Sequence, residues 1–247
     1  TEWQDNSIVM TLLSVKNLAK KIKSKTIVKD INFSVNSSEI VGLLGPNGAG
    51  KTTTFYSIAG LIKPTKGEIF FNGQEITNMA MHSRSKLGIS YLPQESSIFL
   101  NLSVKDNILG LAQLCESDPI SVKKIYDEII EEFNLSEMLN QNGRELSGGQ
   151  RRRVEIARCL VTKPKIILMD EPFAGIDPVA VDDIKKILNN LLSKEISILI
   201  TDHNVGAALA ICKRALILSE GKILAEGSTN ELINNSKVKE VYLGAVS

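Results

Sequence analysis

Gly45-Pro46-Asn47-Gly48-Ala49-Gly50-Lys51-Thr52 has the pattern G-x-x-x-x-G-K-[ST], the Walker A phosphate loop. The apolar run Glu39 to Leu44 precedes it, and Thr53 to Ala59 follows with helix-compatible residues that stop at Gly60. That is the strand–loop–helix setting the motif requires. Glycines let the backbone approach a polyphosphate and turn successive N–H groups inward. The start of the next helix adds a partial positive charge of roughly half an elementary unit. Lys51 offers an ammonium to the outer phosphates, and Thr52 offers a hydroxyl to Mg²⁺. The nucleotide-contacting set is read as Gly45, Pro46, Asn47, Gly48, Ala49, Gly50, Lys51, Thr52 and Thr53.

A second stretch supplies the carboxylates. Ile166-Ile167-Leu168-Met169 is continuously apolar, as in a strand covered on both faces of a parallel sheet, and it ends in Asp170-Glu171. Asp170 fits a Walker B carboxylate that holds Mg²⁺ opposite Thr52. Adjacent residues at a strand end point differently, so Glu171 is free to face an attacking water as general base. Ile196 to Ile200 is another buried strand, ending at Thr201-Asp202-His203.

The remaining pattern organises around these strands. Leu12 to Val15 and Ile27 to Val35 read as β segments, with Ile31, Phe33 and Val35 at the period of a half-buried antiparallel strand and Lys20 to Lys25 as a basic turn between them. Glu68 to Phe71 is a strand closed by Asn72-Gly73, and Gly88 to Leu92 is a strand ending at Pro93-Gln94. Ser103 to Asp106 reads as a capping box for a helix carrying Ile108, Leu111, Ala112 and Cys115. A second helix starts near Ser121, with Val122, Ile125, Ile129 and Phe133 on one face. Asp177-Pro178 caps a third, faced by Val181, Ile184, Leu188 and Leu191. A helix from Asn204 to about Lys213, a strand from Ala215 to Ser219, a hairpin at Glu220-Gly221 and a helical tail from Thr229 to Leu243 complete the chain.

Composition narrows the class. The 247 residues are 43% hydrophobic and 23% charged, with a net charge of +1, so no global basic field argues for nucleic acid. No apolar run reaches the ~18 residues of a membrane helix, and the start lacks a signal-peptide pattern. Cys115, Cys159 and Cys212 are widely spaced and read as reduced, mostly buried thiols of a cytoplasmic protein. Residues 1–9 precede Met10 and are read as an extension or an expression-vector remnant.

Leu146-Ser147-Gly148-Gly149-Gln150 is the most specific stretch. Ser147 can cap the helix that continues through Arg151-Arg152-Arg153, and the two glycines again let backbone approach an anion. With the Walker motifs, Gln94 after one strand and His203 after another, this chain resembles the nucleotide-binding subunits of ABC transporters. The resemblance covers Leu12 to Gly244. It implies an α/β fold: a P-loop NTPase (RecA-like) core with an antiparallel β subdomain and an inserted α-helical subdomain. The expected division is residues 10–94 for the first part of the core, 95–161 for the helical insertion and 162–247 for the rest. It further implies ATP and Mg²⁺, a head-to-tail pair of copies, and Ser147, Gly149 and Gln150 acting on the other copy's nucleotide. Gln94 is expected at Mg²⁺ or the attacking water, relaying the nucleotide state to the helical region, and His203 near the γ-phosphate.

The aromatic that stacks on adenine in many members aligns with Ile22, which offers no π face. Within the family, Tyr91 to Phe99, Arg151 to Arg158, Asp170 to Pro178 and Ile200 to Val205 are most similar to the ATP-binding subunits of lipopolysaccharide export systems. Branched-chain amino-acid importers come second, and soluble ABC ATPases acting on DNA or ribosomes third. The export reading implies permease subunits as partners, docking in a groove at Ile98, Phe99 and Leu100. It places the chain on the inner face of the inner membrane, with membrane contact only through those partners and none with nucleic acid.

Overall fold

The computed structural model describes residues 10–203 and 205–243. The expectations for residues 1–9, Asn204 and Gly244 lie outside the described residues. The chain opens with a long antiparallel pair, β1 (Thr11–Ile22) and β2 (Lys25–Asn36). The expected basic turn over Lys20 to Lys25 shrinks to Lys23-Ser24. The strand runs on through the lysines because they are tied laterally. Lys20 Nζ donates to the Lys63 carbonyl at 2.5 Å, and the Lys21 N–H donates to Thr65 Oγ1 at 3.0 Å.

β3 (Ile40–Leu44) leads into α1 (Lys51–Ala59), which ends at Gly60 in the left-handed region. β4 (Lys66–Phe71) and β5 (Gln74–Glu75) form the expected hairpin and complete a four-stranded antiparallel sheet in the order β2-β1-β4-β5. α2 (Met81–Leu87) precedes β6 (Ile89–Leu92). Then come α3 (Val104–Cys115), α4 (Pro119–Glu132) and α5 (Gly148–Val161). The α3 cap is half a capping box. Ser103 accepts from the Asp106 N–H, but the Asp106 carboxylate takes the Ser103 hydroxyl at 2.6 Å, being a methylene shorter than Glu. α4 starts at Pro119 rather than Ser121, because Asp118 caps it and proline fits the first helical position.

β7 (Ile166–Asp170), α6 (Pro178–Ser193), β8 (Ser197–Asp202), α7 (Val205–Leu209), β9 (Arg214–Ser219) and β10 (Lys222–Gly227) follow. α7 is far shorter than the expected run to Lys213. The tail is two helices, α8 (Thr229–Asn234) and α9 (Ser236–Leu243), broken at Asn235, which is extended. Leu232 and Val238 are buried there, whereas Ile233 is exposed.

The second sheet has the order β10-β9-β3-β8-β7-β6, with every pair parallel except β10 on β9. Alternation along its strands divides the core. Ile166 and Leu168 of β7 and Leu199 of β8 pack with Phe55 and Ile58 of α1 and the antiparallel sheet. Ile167, Met169, Ile198 and Ile200 face the other way, onto the apolar stripes of α3, α4, α5 and α6. Ile98 belongs to that second cluster at 5% exposure, so it is core rather than groove, while Phe99 at 61% and Leu100 at 42% are exposed. Of the thiols only Cys212 is buried; Cys159 is half-buried and Cys115 exposed, which corrects the expectation of mostly buried cysteines.

Candidate active site

The sheet register assembles the site. Leu44 pairs with Asp202, and Asp170 with Thr201, so the loop after β3, the carboxylates after β7 and the end of β8 share one edge. Ligands of open α/β sheets bind outside the carboxyl ends of the strands, where this edge lies. At Gly45 φ is 154°, and a Cβ there would stand 2.3 Å from the Leu218 carbonyl oxygen. Any side chain at Gly45 would push the loop off β9. Gly50, at φ 102°, caps α1 without a side chain, leaving the first N–H groups of the helix directed at the loop.

Lys51 is buried and folds onto its own loop. Its Nζ donates to the Gly45 carbonyl at 2.6 Å and to the Pro46 carbonyl at 3.0 Å. Burial lowers its pKa, opposed by the charges of Glu171, Asp170 and Asp202. Asp170, 5% exposed, is shifted the other way: burial raises its pKa, and the hydrogen bond from Thr201 pulls it back. Glu171 occupies the left-handed region at φ 47°, held by its N–H donating to the Thr201 carbonyl at 2.8 Å. Its carboxylate Oε2 lies 3.0 Å from His203 Nδ1. The structure thus brings Lys51, Asp170, Glu171 and His203 together.

Gln94 and Glu171 line one cavity of about 160 Å³ with Gly148, Arg152, Glu155 and Gly175. Ile22 is half exposed at the end of β1. Its hairpin reaches the phosphate loop, since a Cβ on Gly50 would lie 3.1 Å from the Ile27 carbonyl oxygen. The stretch from Ser147 to Gln150 forms a full capping box on α5. Gly149 packs on α6 so closely that a Cβ there would sit 2.5 Å from that of Ala180. Asp177 caps α6 through the Ala180 N–H.

The sequence puts Arg151 to Arg153 on the helix that Ser147 caps, and the structure gives Arg152 a definite place on it. It is 5% exposed, pairs with Glu155 at 3.0 Å, and donates to the Pro93 carbonyl at 2.9 Å and the Asp170 carbonyl at 3.3 Å. Glu155 accepts from the Ser97 N–H at 3.0 Å, and Arg158 donates to the Ser97 carbonyl while lying 5.2 Å from the Phe99 ring centroid. The helix that begins with the signature therefore grips the segment that begins with Gln94. The i, i+3 spacing of Arg152 and Glu155 inside a basic run was the one signal in the sequence. Tyr91 was also missed. Burial raises its pKa first, then the nearby Asp170 charge, and its ring lies edge-on to Tyr56 of α1.

Ile22→Tyr should tighten ATP binding by about fivefold or more, because base–aromatic stacking contributes about 1–3 kcal/mol. Titration with a fluorescent ATP analogue checks this, and an unchanged or weaker dissociation constant would remove Ile22 from the base site.

Residues 28–174 match the family model described as ABC transporter. The lipopolysaccharide export system ATP-binding protein LptB of Haemophilus influenzae is 50% identical over 236 residues, covering 95% of this chain and 98% of that protein. The Escherichia coli K12 protein of the same name is 49% identical over 238 residues, at 95% and 98% coverage. Among solved structures, the ADP conformation of MJ1267, an ATP-binding cassette of an ABC transporter, has a TM-score of 0.86 at 30% identity and covers 95% of this chain and 99% of its own. The dimeric post-hydrolysis state of the cassette MJ0796, bound to ADP and Pi, has a TM-score of 0.77 at 25% identity, with 88% and 99% covered. A family match and relatives this similar across nearly the full length, on a site built from both Walker motifs, establish that the chain belongs to the ABC transporter family as an ATP-hydrolysing cassette.

Proposed function

We propose that this chain is the motor subunit of a lipopolysaccharide export transporter. The observation that carries this reading is identity of 49–50% to export-system ATP-binding proteins over 95% of the chain. ATP is held by Gly45 to Thr53, with Lys51 leaving the loop carbonyls for the outer phosphates. The donors suit Mg²⁺. Thr52, Asp170 and Gln94 all offer oxygen, and burial of Asp170 raises the cost of its charge until a cation is near. Among the described residues no group of three or more His, Cys, Asp or Glu forms a metal cage, which suits a cation that keeps its waters and shares the phosphates. When bound with ATP, Mg²⁺ neutralises charge on the transferred phosphoryl group.

Glu171 orients the attacking water and accepts its proton, with His203 fixing the carboxylate from the side and contacting the γ-phosphate. Ser147, Gly149 and Gln150 of a second copy close over the nucleotide, so the working unit is a head-to-tail homodimer. The dimeric neighbour bound to ADP and Pi supports the pairing of two copies. Gln94 reports nucleotide state along its segment to Phe99 and Leu100, where permease subunits dock at the cytoplasmic face of the inner membrane. Among the described residues no helix is long and apolar enough to cross a membrane.

Purification of the tagged chain from solubilised membranes tests the assignment. The expected result is a polytopic membrane complex that retains lipopolysaccharide. Recovery with an amino-acid permease would overturn the export reading, and recovery with ribosomes or DNA the transporter reading. In the same preparation Phe99→Glu should weaken the permease complex about tenfold or more while the isolated chain keeps its ATPase activity. Phe99 is largely exposed, and a carboxylate there would meet the Arg158 guanidinium, so the fold should survive. Loss of folding would instead mean that the contact of the Phe99 ring with the Arg158 guanidinium is needed to hold this segment in place.

A further inference from the structure

β8 reads Ser197-Ile198-Leu199-Ile200-Thr201-Asp202, and Thr201 puts a hydroxyl directly after its three apolar residues, at 1% exposure. The β7–β8 register sets it directly beside Asp170. Its Oγ1 donates to Asp170 Oδ1 at 2.5 Å, the short end of hydroxyl–carboxylate bonds. The same oxygen lies 3.4 Å from the Glu171 N–H, which donates to the Thr201 carbonyl at 2.8 Å. One residue therefore holds the side chain of one carboxylate and the backbone turn of the next. A β-branched residue with restricted χ1 suits this task, because the hydroxyl direction is set by the strand itself.

We infer that Thr201 is a positioning residue for metal–nucleotide binding. It ties back Oδ1 of Asp170 and so sets the direction in which this carboxylate, which the Tyr91 hydroxyl also reaches, meets metal-bound water. The inference rests on the reading of Asp170 as a Mg²⁺ partner. Partners behind a metal-binding carboxylate commonly change metal affinity by about 10–100-fold when lost.

The test compares Thr201→Val and Thr201→Ser in the full-length chain, with ATP affinity measured in EDTA and Mn²⁺ affinity in the presence of ATP measured by electron paramagnetic resonance. Valine keeps the shape and removes the donor. It should leave metal-free ATP affinity within about twofold and weaken Mn²⁺ about tenfold or more, and serine should restore Mn²⁺ affinity. A valine variant that keeps Mn²⁺ affinity, or that loses metal-free ATP binding to the same degree, would overturn the inference. If valine does not fold, Thr201→Ala gives the same reading. Asp170→Asn is measured in parallel. Unchanged Mn²⁺ affinity in that variant would sink the role of Asp170 itself, whereas its loss beside a normal valine variant would sink Thr201 alone.

Discussion

Glu171→Gln should bind ATP and hydrolyse it about 10²-fold or more slowly, the scale of removing one acid–base group. The amide keeps the size of the side chain and can still face His203, but it cannot accept a proton from water. The backbone turn does not depend on the carboxylate, because the Glu171 N–H is held by the Thr201 carbonyl at 2.8 Å. Fold and nucleotide binding should therefore persist, and the chain should accumulate as an ATP-bound pair. Single-turnover hydrolysis and gel filtration with ATP measure both consequences. Near-normal turnover would refute the assignment of Glu171 as base.

The second large effect concerns a residue away from the phosphates. Arg84 is 1% exposed, and burial pushes its guanidinium down to about 10. It donates to the carbonyls of Ser57 at 2.8 Å, Ile58 at 2.5 Å, Thr77 at 3.1 Å and Met79 at 2.9 Å. Ser57 and Ile58 lie in the last turn of α1, whose carbonyls carry the negative end of the helix dipole. Methionine has comparable length and no donor. Arg84→Met should lower stability by about 3 kcal/mol or more, since each buried acceptor left unpaired costs about 1–3 kcal/mol and only part is offset by no longer burying a cation. The denaturant midpoint reads this, and Arg84→Lys should recover part of it. A loss under about 1 kcal/mol would mean that water replaces the guanidinium at these carbonyls.

Local chemistry made much of this protein legible in its sequence. Gly45 to Thr52, the runs ending at Asp170 and Thr201, and the caps at Ser147 and Asp177 each depend on spacing within a few residues, and each stands where expected. What the sequence hid depends on register between distant strands. Thr201 beside Asp170, Arg152 between Pro93 and Asp170, and Arg84 under α1 are contacts that no local periodicity encodes. α2 was missed for a related reason. Met81-His82-Ser83-Arg84-Ser85-Lys86-Leu87 has no apolar stripe and no side-chain cap, and its one buried residue is the charged Arg84. Lys20 to Lys25 misled because charge was weighed without the neighbouring Lys63 and Thr65. Ile98 and Phe99 are adjacent and equally apolar, yet one points into the core and the other outward.

The position of Lys51 sets a threshold on what the loop accepts. Its ammonium already has two partners within hydrogen-bond distance, the carbonyls of Gly45 and Pro46. A ligand that draws the ammonium away must offer more than these two carbonyls do, and concentrated negative charge on outer phosphates offers it. Adenosine and AMP would leave those contacts intact. With Lys51 in the proposed role, adenosine and AMP are therefore expected to gain less from the loop than ATP does.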